Sequence, residues 1–296
     1  VADIETIELP VRGFTFDAFR AGPADGEGVI LVHGFPQTGY SYRNQLAALA
    51  DAGFQAVAPD MRGYSAGARP PDVEDYRLDL LVDDVIAMAD HLGFERFHLV
   101  GHDWGAMVAW VTAGKHQDRV ISLTTLSVPH PYAFAEAMAV PPKEGQPPQS
   151  ERSSYIEVFK GEGSEDLFLA DDAANLRRMF TGGGDLLPLG NLGDDVADVY
   201  IETLTEPGAM QAALNWYRAM TPESLAGFGD ISMPTLHVWS TEDPALGPEG
   251  AELTEKYVTG PYTLEILEGV THWIQEEAPE RLNPILLAHV QGASER

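Results

Sequence analysis

Phe97-His98-Leu99-Val100-Gly101-His102-Asp103-Trp104-Gly105-Ala106-Met107-Val108-Ala109-Trp110-Val111 reads as a strand that turns at once into a helix. Phe97 to Val100 form a continuous apolar run, as expected of a strand buried on both faces. Ala106 to Val111 continue as a buried helix. Two glycines flank Asp103 with the spacing of the sharp strand–turn–helix elbow that lifts a nucleophile above a parallel sheet. A carboxylate here also sits at a helix N-terminus, where free N–H groups and the helix dipole favour negative charge. The competing reading is a plain N-cap, a position at which aspartate is common.

The pattern on either side supports the elbow. Val29-Ile30-Leu31-Val32 is a strand ending at His33-Gly34, and Gln55-Ala56-Val57-Ala58 is another, ending at Pro59-Asp60. Leu81, Val85, Met88 and Leu92 recur at helical spacing within residues 77–92. Residues 120–126 form a further strand. Strand and helix in alternation predict an α/β fold with a mostly parallel sheet flanked by helices. From about Pro129 to Gly227 the alternation stops. Helical stretches at 133–138, 173–180, 195–204 and 209–219 are separated by Pro141-Pro142, by Gly145 to Pro148 and by Gly182-Gly183-Gly184. Strands return at 235–239 and 262–267, and an amphipathic helix runs from about Pro279 to Val290. The expected organisation is a core of residues 1–130 and 228–296 with an inserted all-helical lid, or cap, at 131–227.

Ligands of open parallel sheets sit at the carboxyl ends of the strands. Besides Asp103, those ends offer three further groups. His33-Gly34-Phe35-Pro36 is placed to complete an oxyanion hole, with the backbone N–H groups of Phe35 and Trp104 as donors. Asp243, in Ser240-Thr241-Glu242-Asp243-Pro244, and His272, in Gly269-Val270-Thr271-His272-Trp273, follow later strands. Nucleophile, acid, histidine is the chain order of this kind of site. His33 and His102 lie near it but are read as turn residues. Glu242 is the runner-up for the acid. Gly63-Tyr64-Ser65-Ala66-Gly67 also fits G-x-S-x-G, but Ala68-Arg69-Pro70-Pro71 cannot open the helix that the motif requires.

Composition bounds the remainder. The 296 residues suffice for one large core with an insertion. With no cysteine, a disulfide framework and a thiolate nucleophile are both impossible. The balance of 18 basic against 46 acidic side chains, net -28, repels phosphate backbones, so no nucleic-acid partner is expected. No apolar run reaches membrane-span length, and Val1-Ala2-Asp3-Ile4-Glu5 has no signal-peptide character, so a cytoplasmic protein without a membrane partner is expected. Histidine and carboxylate spacing suggests no metal site.

Taken together, His33-Gly34-Phe35-Pro36, Asp60-Met61-Arg62-Gly63-Tyr64, Gly101-His102-Asp103-Trp104-Gly105, Asp243 and His272 resemble the epoxide hydrolase branch of the α/β-hydrolase superfamily, with haloalkane dehalogenases as near relatives. The lid separates the two branches. Epoxide hydrolases have two lid tyrosines above the nucleophile. Asn215-Trp216-Tyr217-Arg218 is similar to one of those motifs, and Ser154-Tyr155-Ile156-Glu157-Val158-Phe159 to the other, although Lys160-Gly161-Glu162-Gly163 departs from the Gln and Pro usual there. The resemblance implies conversion of a small apolar epoxide and water to a vicinal diol. An ester forms on Asp103 and is cleaved by water that His272, oriented by Asp243, activates. Tyr155 and Tyr217 donate the proton, and with Phe35 and Trp104 they bind the substrate. The implied chemistry needs no cofactor, and a monomer or homodimer is expected. The alternative is a haloalkane dehalogenase using the same Asp103. Phe35 stands where its asparagine halide donor would be. A non-catalytic binding protein of the same fold ranks below both.

Overall fold

The structure, a computed structural model, describes residues 3–183, 187–225 and 227–295. Val1, Ala2, Gly184 of the glycine run and Arg296 therefore lie outside the described residues. Eight strands form one sheet in the order β1-β2-β4-β3-β5-β6-β7-β8. They are β1 (Glu5–Val11), β2 (Phe14–Ala21), β3 (Gly28–Val32), β4 (Gln55–Pro59), β5 (Phe97–His102), β6 (Val120–Leu126), β7 (Thr235–Ser240) and β8 (Tyr262–Leu267). From β4 to β8 all neighbours are parallel; β2 runs antiparallel to both β1 and β4. This is the mostly parallel α/β fold that the alternation predicts. Strands β3, β4 and β5 are buried along their whole length, which explains their unbroken apolar reading.

The alternation read from the sequence begins only at Val29, and the structure adds the β1–β2 hairpin before it. Its two-residue turn is Arg12-Gly13, both at positive φ (52° and 83°), as a hairpin turn of the primed type requires. Arginine in place of the usual asparagine or aspartate hides that turn.

Helices cover both faces. Leu78–His91 and Trp104–Lys115 pack on one, Arg43–Asp51 and Pro279–Ser294 on the other. Between β6 and β7 the described residues form helices but no strand: Pro131–Ala137, Gln149–Arg152, Tyr155–Lys160, Ser164–Thr181, Asp194–Leu204 and Ala209–Arg218, with a short 3-10 turn at Pro222–Leu225. The apolar core runs unbroken into this segment, since Phe35, Met61 and Tyr64 share one cluster with Phe159, Phe168 and Tyr217.

One buried ion pair holds the loop after β4. Arg62 Nε and Nη2 lie 2.7 and 2.6 Å from the two oxygens of Asp84, and Trp216 Nε1 donates to the Arg62 carbonyl at 2.8 Å. Both charged side chains are almost fully shielded. Asp84→Ala would leave a guanidinium buried without its counter-ion. We expect a loss of about 3–5 kcal/mol of stability, measured as the shift of the urea unfolding midpoint at constant slope.

Candidate active site

Strand order reverses at β3, which lies between β4 and β5, and the loops leaving β3 and β5 open a crevice at their carboxyl ends. Asp103 stands there at φ 53°, ψ -123°, a backbone conformation that a non-glycine residue adopts only when its surroundings enforce it. The flanking glycines are required by space. A Cβ on Gly101 would come 2.3 Å from the Gly105 carbonyl oxygen, and one on Gly105 would come 2.0 Å from that of Val32. The helix thus leaves the elbow in backbone contact with β3.

The Phe35 N–H donates to Asp103 Oδ1 at 2.8 Å. Trp104 opens the helix Trp104–Lys115, and first-turn N–H groups have no acceptor inside their own helix. Oδ2 lies 3.5 Å from His272 Nε2. His272 Nδ1 is 2.8 Å from Asp243 Oδ2, while Asp243 Oδ1 accepts the N–H groups of Ala245 (2.9 Å) and Leu246 (3.1 Å). The two carboxylates and the imidazole are each less than a tenth exposed. Asp243 and His272, 140 and 169 positions beyond Asp103 in the chain, thus meet it at one point.

Electrostatics follow from that packing. Burial alone would disfavour charge on His272, but Asp243 and Asp103 on its two sides outweigh it and push the imidazolium up to about 10. Burial likewise opposes charge on Asp243. His272 and the two N–H groups overcome it and hold that carboxyl below its ordinary value. His102 shows the opposite balance. Burial, with His272 beside it, pushes it down to about 3, so it is neutral. Its Nε2 lies 2.9 Å from the His272 carbonyl oxygen and must carry the proton.

His102 also corrects the sequence reading: it is the last residue of β5 rather than a turn residue, fully buried with its ring 4.8 Å from that of His272. His33 does lie in a loop. Its Nε2 accepts the Met61 N–H at 2.9 Å, so the proton is on Nδ1, which donates to the Gly34 carbonyl. Ser65 is committed elsewhere, donating to the Asp60 carbonyl at 2.5 Å and accepting the Asp17 N–H.

Above Asp103 lies a cavity of about 280 Å³. Tyr155 and Tyr217 line it together with Trp104, and almost all the remainder is apolar: Met107, Val128, Phe134, Ile156 and Leu246 among others. The tyrosine rings are 6.5 Å apart at 78°. Tyr217 also packs edge-on against Phe35 (5.4 Å) and Trp104 (5.0 Å). Its neighbour Trp216 also packs edge-on against Trp104 (6.1 Å), and its Nε1 donates to the Arg62 carbonyl, which ties the helix Ala209–Arg218 to the loop after β4. Burial first, then the nearby Asp103, raises both phenols well above their ordinary value, so both stay protonated. The apolar lining residues carry no signal in sequence, since the same residue types fill any core.

Residues 28–279 match the profile of the alpha/beta hydrolase fold family. Epoxide hydrolase A of Mycobacterium tuberculosis is 34% identical, with 96% of each chain covered. The chain belongs to the epoxide hydrolase branch of that family. Epoxide hydrolase 4 of Mus musculus is 31% identical over 98% of this hydrolase and 80% of its own length. The crystal structure of epoxide hydrolase A from Mycobacterium thermoresistibile superposes on this hydrolase with a TM-score of 0.83 and 31% identity, covering 98% of this chain and 99% of that one. Among the described residues, no helix is long and apolar enough to cross a membrane.

Proposed function

We propose that this hydrolase opens a small, largely apolar epoxide and releases a vicinal diol in two covalent steps, under a cap formed by residues 131–227 on a core of 1–130 and 228–296. The observation that carries the reading is the pair of protonated tyrosines, Tyr155 and Tyr217, lining the same apolar cavity as Asp103.

In the first step Asp103 Oδ2 attacks one epoxide carbon. Oδ1 is held back by the Phe35 N–H. The C–O bond breaks, and the leaving oxygen takes a proton from a tyrosine, so that no free alkoxide forms. A carboxylate suits this task because its reference pKa, about 3.9, leaves it charged at neutral pH without a base. In the second step water attacks the Asp103 carboxyl carbon. His272 accepts the water proton, Asp243 holds the ring, and the N–H groups of Phe35 and Trp104 support the charge that develops on Oδ1.

Ester formation also eases deprotonation of the base. Asp243 and Asp103 both favour the imidazolium of His272. Once esterified Asp103 is neutral, and the histidine, now facing the charge of Asp243 alone, loses its proton more easily.

The test is a panel of terminal epoxides beside matched bromo- and chloroalkanes, followed by one turnover in ¹⁸O-labelled water. Diol is expected from the epoxides only. Because the product oxygen comes from Asp103, the first diol is unlabelled and the label enters the Asp103 carboxylate. Halide release without diol would replace this reading with the dehalogenase. Label in the first diol would rule out the ester.

A further inference from the structure

The loop that carries Asp243 is held from two sides. From the core, Trp239 Nε1 on β7 donates to the Leu246 carbonyl at 3.0 Å. From the helical segment between β6 and β7, Arg152 Nη1 donates to the carbonyls of Asp243 (2.9 Å) and Pro244 (3.3 Å). Gln149 Nε2 donates to the Ala245 carbonyl at 2.8 Å, and its Oε1 accepts the Gly247 N–H at 2.8 Å. Gln149 is 2% exposed, so water does not compete for these bonds. Ala245 is the connecting residue. Its N–H holds Asp243 Oδ1, and its C=O is held by Gln149.

The bonds from Ala245 and Leu246 fix the Asp243 carboxylate relative to its own loop. The start of the loop is tied to the His272 loop, by the Glu242 N–H to the Val270 carbonyl (3.0 Å) and by Ser240 Oγ to the Thr271 carbonyl (2.7 Å). Its later part, residues 243–247, is held in addition by Gln149 and Arg152. We infer that Gln149 and Arg152 are positioning residues for the His272–Asp243 base, acting on the second half of the reaction and not on the first.

The asymmetry follows from the chemistry. Attack by Asp103 on the epoxide needs the elbow, the Phe35 N–H and the tyrosines, none of which Gln149 or Arg152 bonds directly; Gln149 Nε2 also donates to Ser153 Oγ at 2.9 Å, two residues before Tyr155, so Arg152 gives the cleaner comparison. Cleavage of the ester needs His272 Nε2 aimed at a water molecule, and its aim is set by the 2.8 Å bond from Nδ1 to Asp243. If the acid loop drifts by a fraction of an ångström, the base loses its orientation while the nucleophile keeps its own.

The inference rests on the two-step reading above, and the experiment separates the two. Gln149→Met and Arg152→Met keep side-chain bulk and remove the hydrogen bonds. Each is mixed with a terminal aryl epoxide, and ester formation and decay are followed in a single turnover, with His272→Gln alongside. Ester formation is expected to stay within about twofold of wild type. Decay is expected to slow by about 10- to 100-fold, the scale of a small misplacement of a catalytic group. In the steady state kcat and KM then fall together and kcat/KM holds. Arg152→Lys, which keeps one donor, should fall between wild type and Arg152→Met. A merely structural role would lower the amplitude of both steps together through a smaller folded fraction and leave their rate constants at the wild-type values. That result, or unchanged decay, overturns the inference. Absence of an ester even in His272→Gln overturns the two-step reading, and the inference with it. Should a methionine variant fail to fold, Arg152→Lys and Gln149→Glu carry the same comparison.

Discussion

His272→Gln is expected to leave alkylation of Asp103 running and to stop release of the diol. The amide cannot take a proton from water, and a general base is worth about 100- to 10,000-fold. Mass spectrometry after mixing with an epoxide should find one substrate mass added to the peptide that contains Asp103. Asp103→Ala should give neither adduct nor diol. The wild-type enzyme makes a related prediction through pH. The base must be neutral, so ester cleavage is lost as pH falls through the His272 pKa of the ester state. That value lies below the one near 10 of the free enzyme, because the charge of Asp103, one cause of the upward shift, is gone. Ester should therefore accumulate on the acid side and disappear as pH rises. Accumulation on the alkaline side instead would show that His272 is not the base.

The parts of the site legible in the sequence are those that backbone geometry dictates. The elbow at Asp103 was legible because only glycine fits at positions 101 and 105, where a Cβ would strike the neighbouring backbone. Strands β3, β4 and β5 were legible because burial on both faces forces continuous apolar runs. What was illegible depends on tertiary contact or on short, broken elements. Gln149 and Arg152 meet their partners across 96 and 91 residues of chain, and neither belongs to a motif. The helix Tyr155–Lys160 has six residues, too few to show a period. The helix Ser164–Thr181 was visible only as residues 173–180. Its backbone leaves helical geometry at Ala170, and Asp171, Asp172 and Ala173 have positive φ, which breaks the apolar spacing. His102 was misread as a turn because the elbow begins one residue later than its glycine suggests.

The largest discrimination between substrates is expected from the two tyrosines. Bromide leaves as a stable anion, whereas an epoxide oxygen leaves as an alkoxide unless it is protonated, so only the epoxide reaction depends on a donor. Tyr217→Phe preserves the ring that packs on Phe35 and Trp104 and removes one hydroxyl. Tyr155→Phe does the same at the other side of the cavity, where its ring lies 6.5 Å from that of Tyr217. With two phenols sharing the task, either single change should slow alkylation by a factor near or below about 100, the low end for general acid catalysis, and the double change should approach the upper end of about 10,000. Both phenols are held well above their ordinary value by burial and by Asp103, so the loss should be independent of pH across the neutral range. The measurement is single-turnover alkylation of Asp103 by an epoxide and by a bromoalkane of matched shape. The bromoalkane rate, if one is detectable in wild type, should barely change. Because His272 is untouched, whatever ester the double variant forms should decay at the wild-type rate. An epoxide rate unchanged in the double variant would remove the tyrosines from the chemistry, and bromoalkane turnover beside it would assign the pocket to halide displacement.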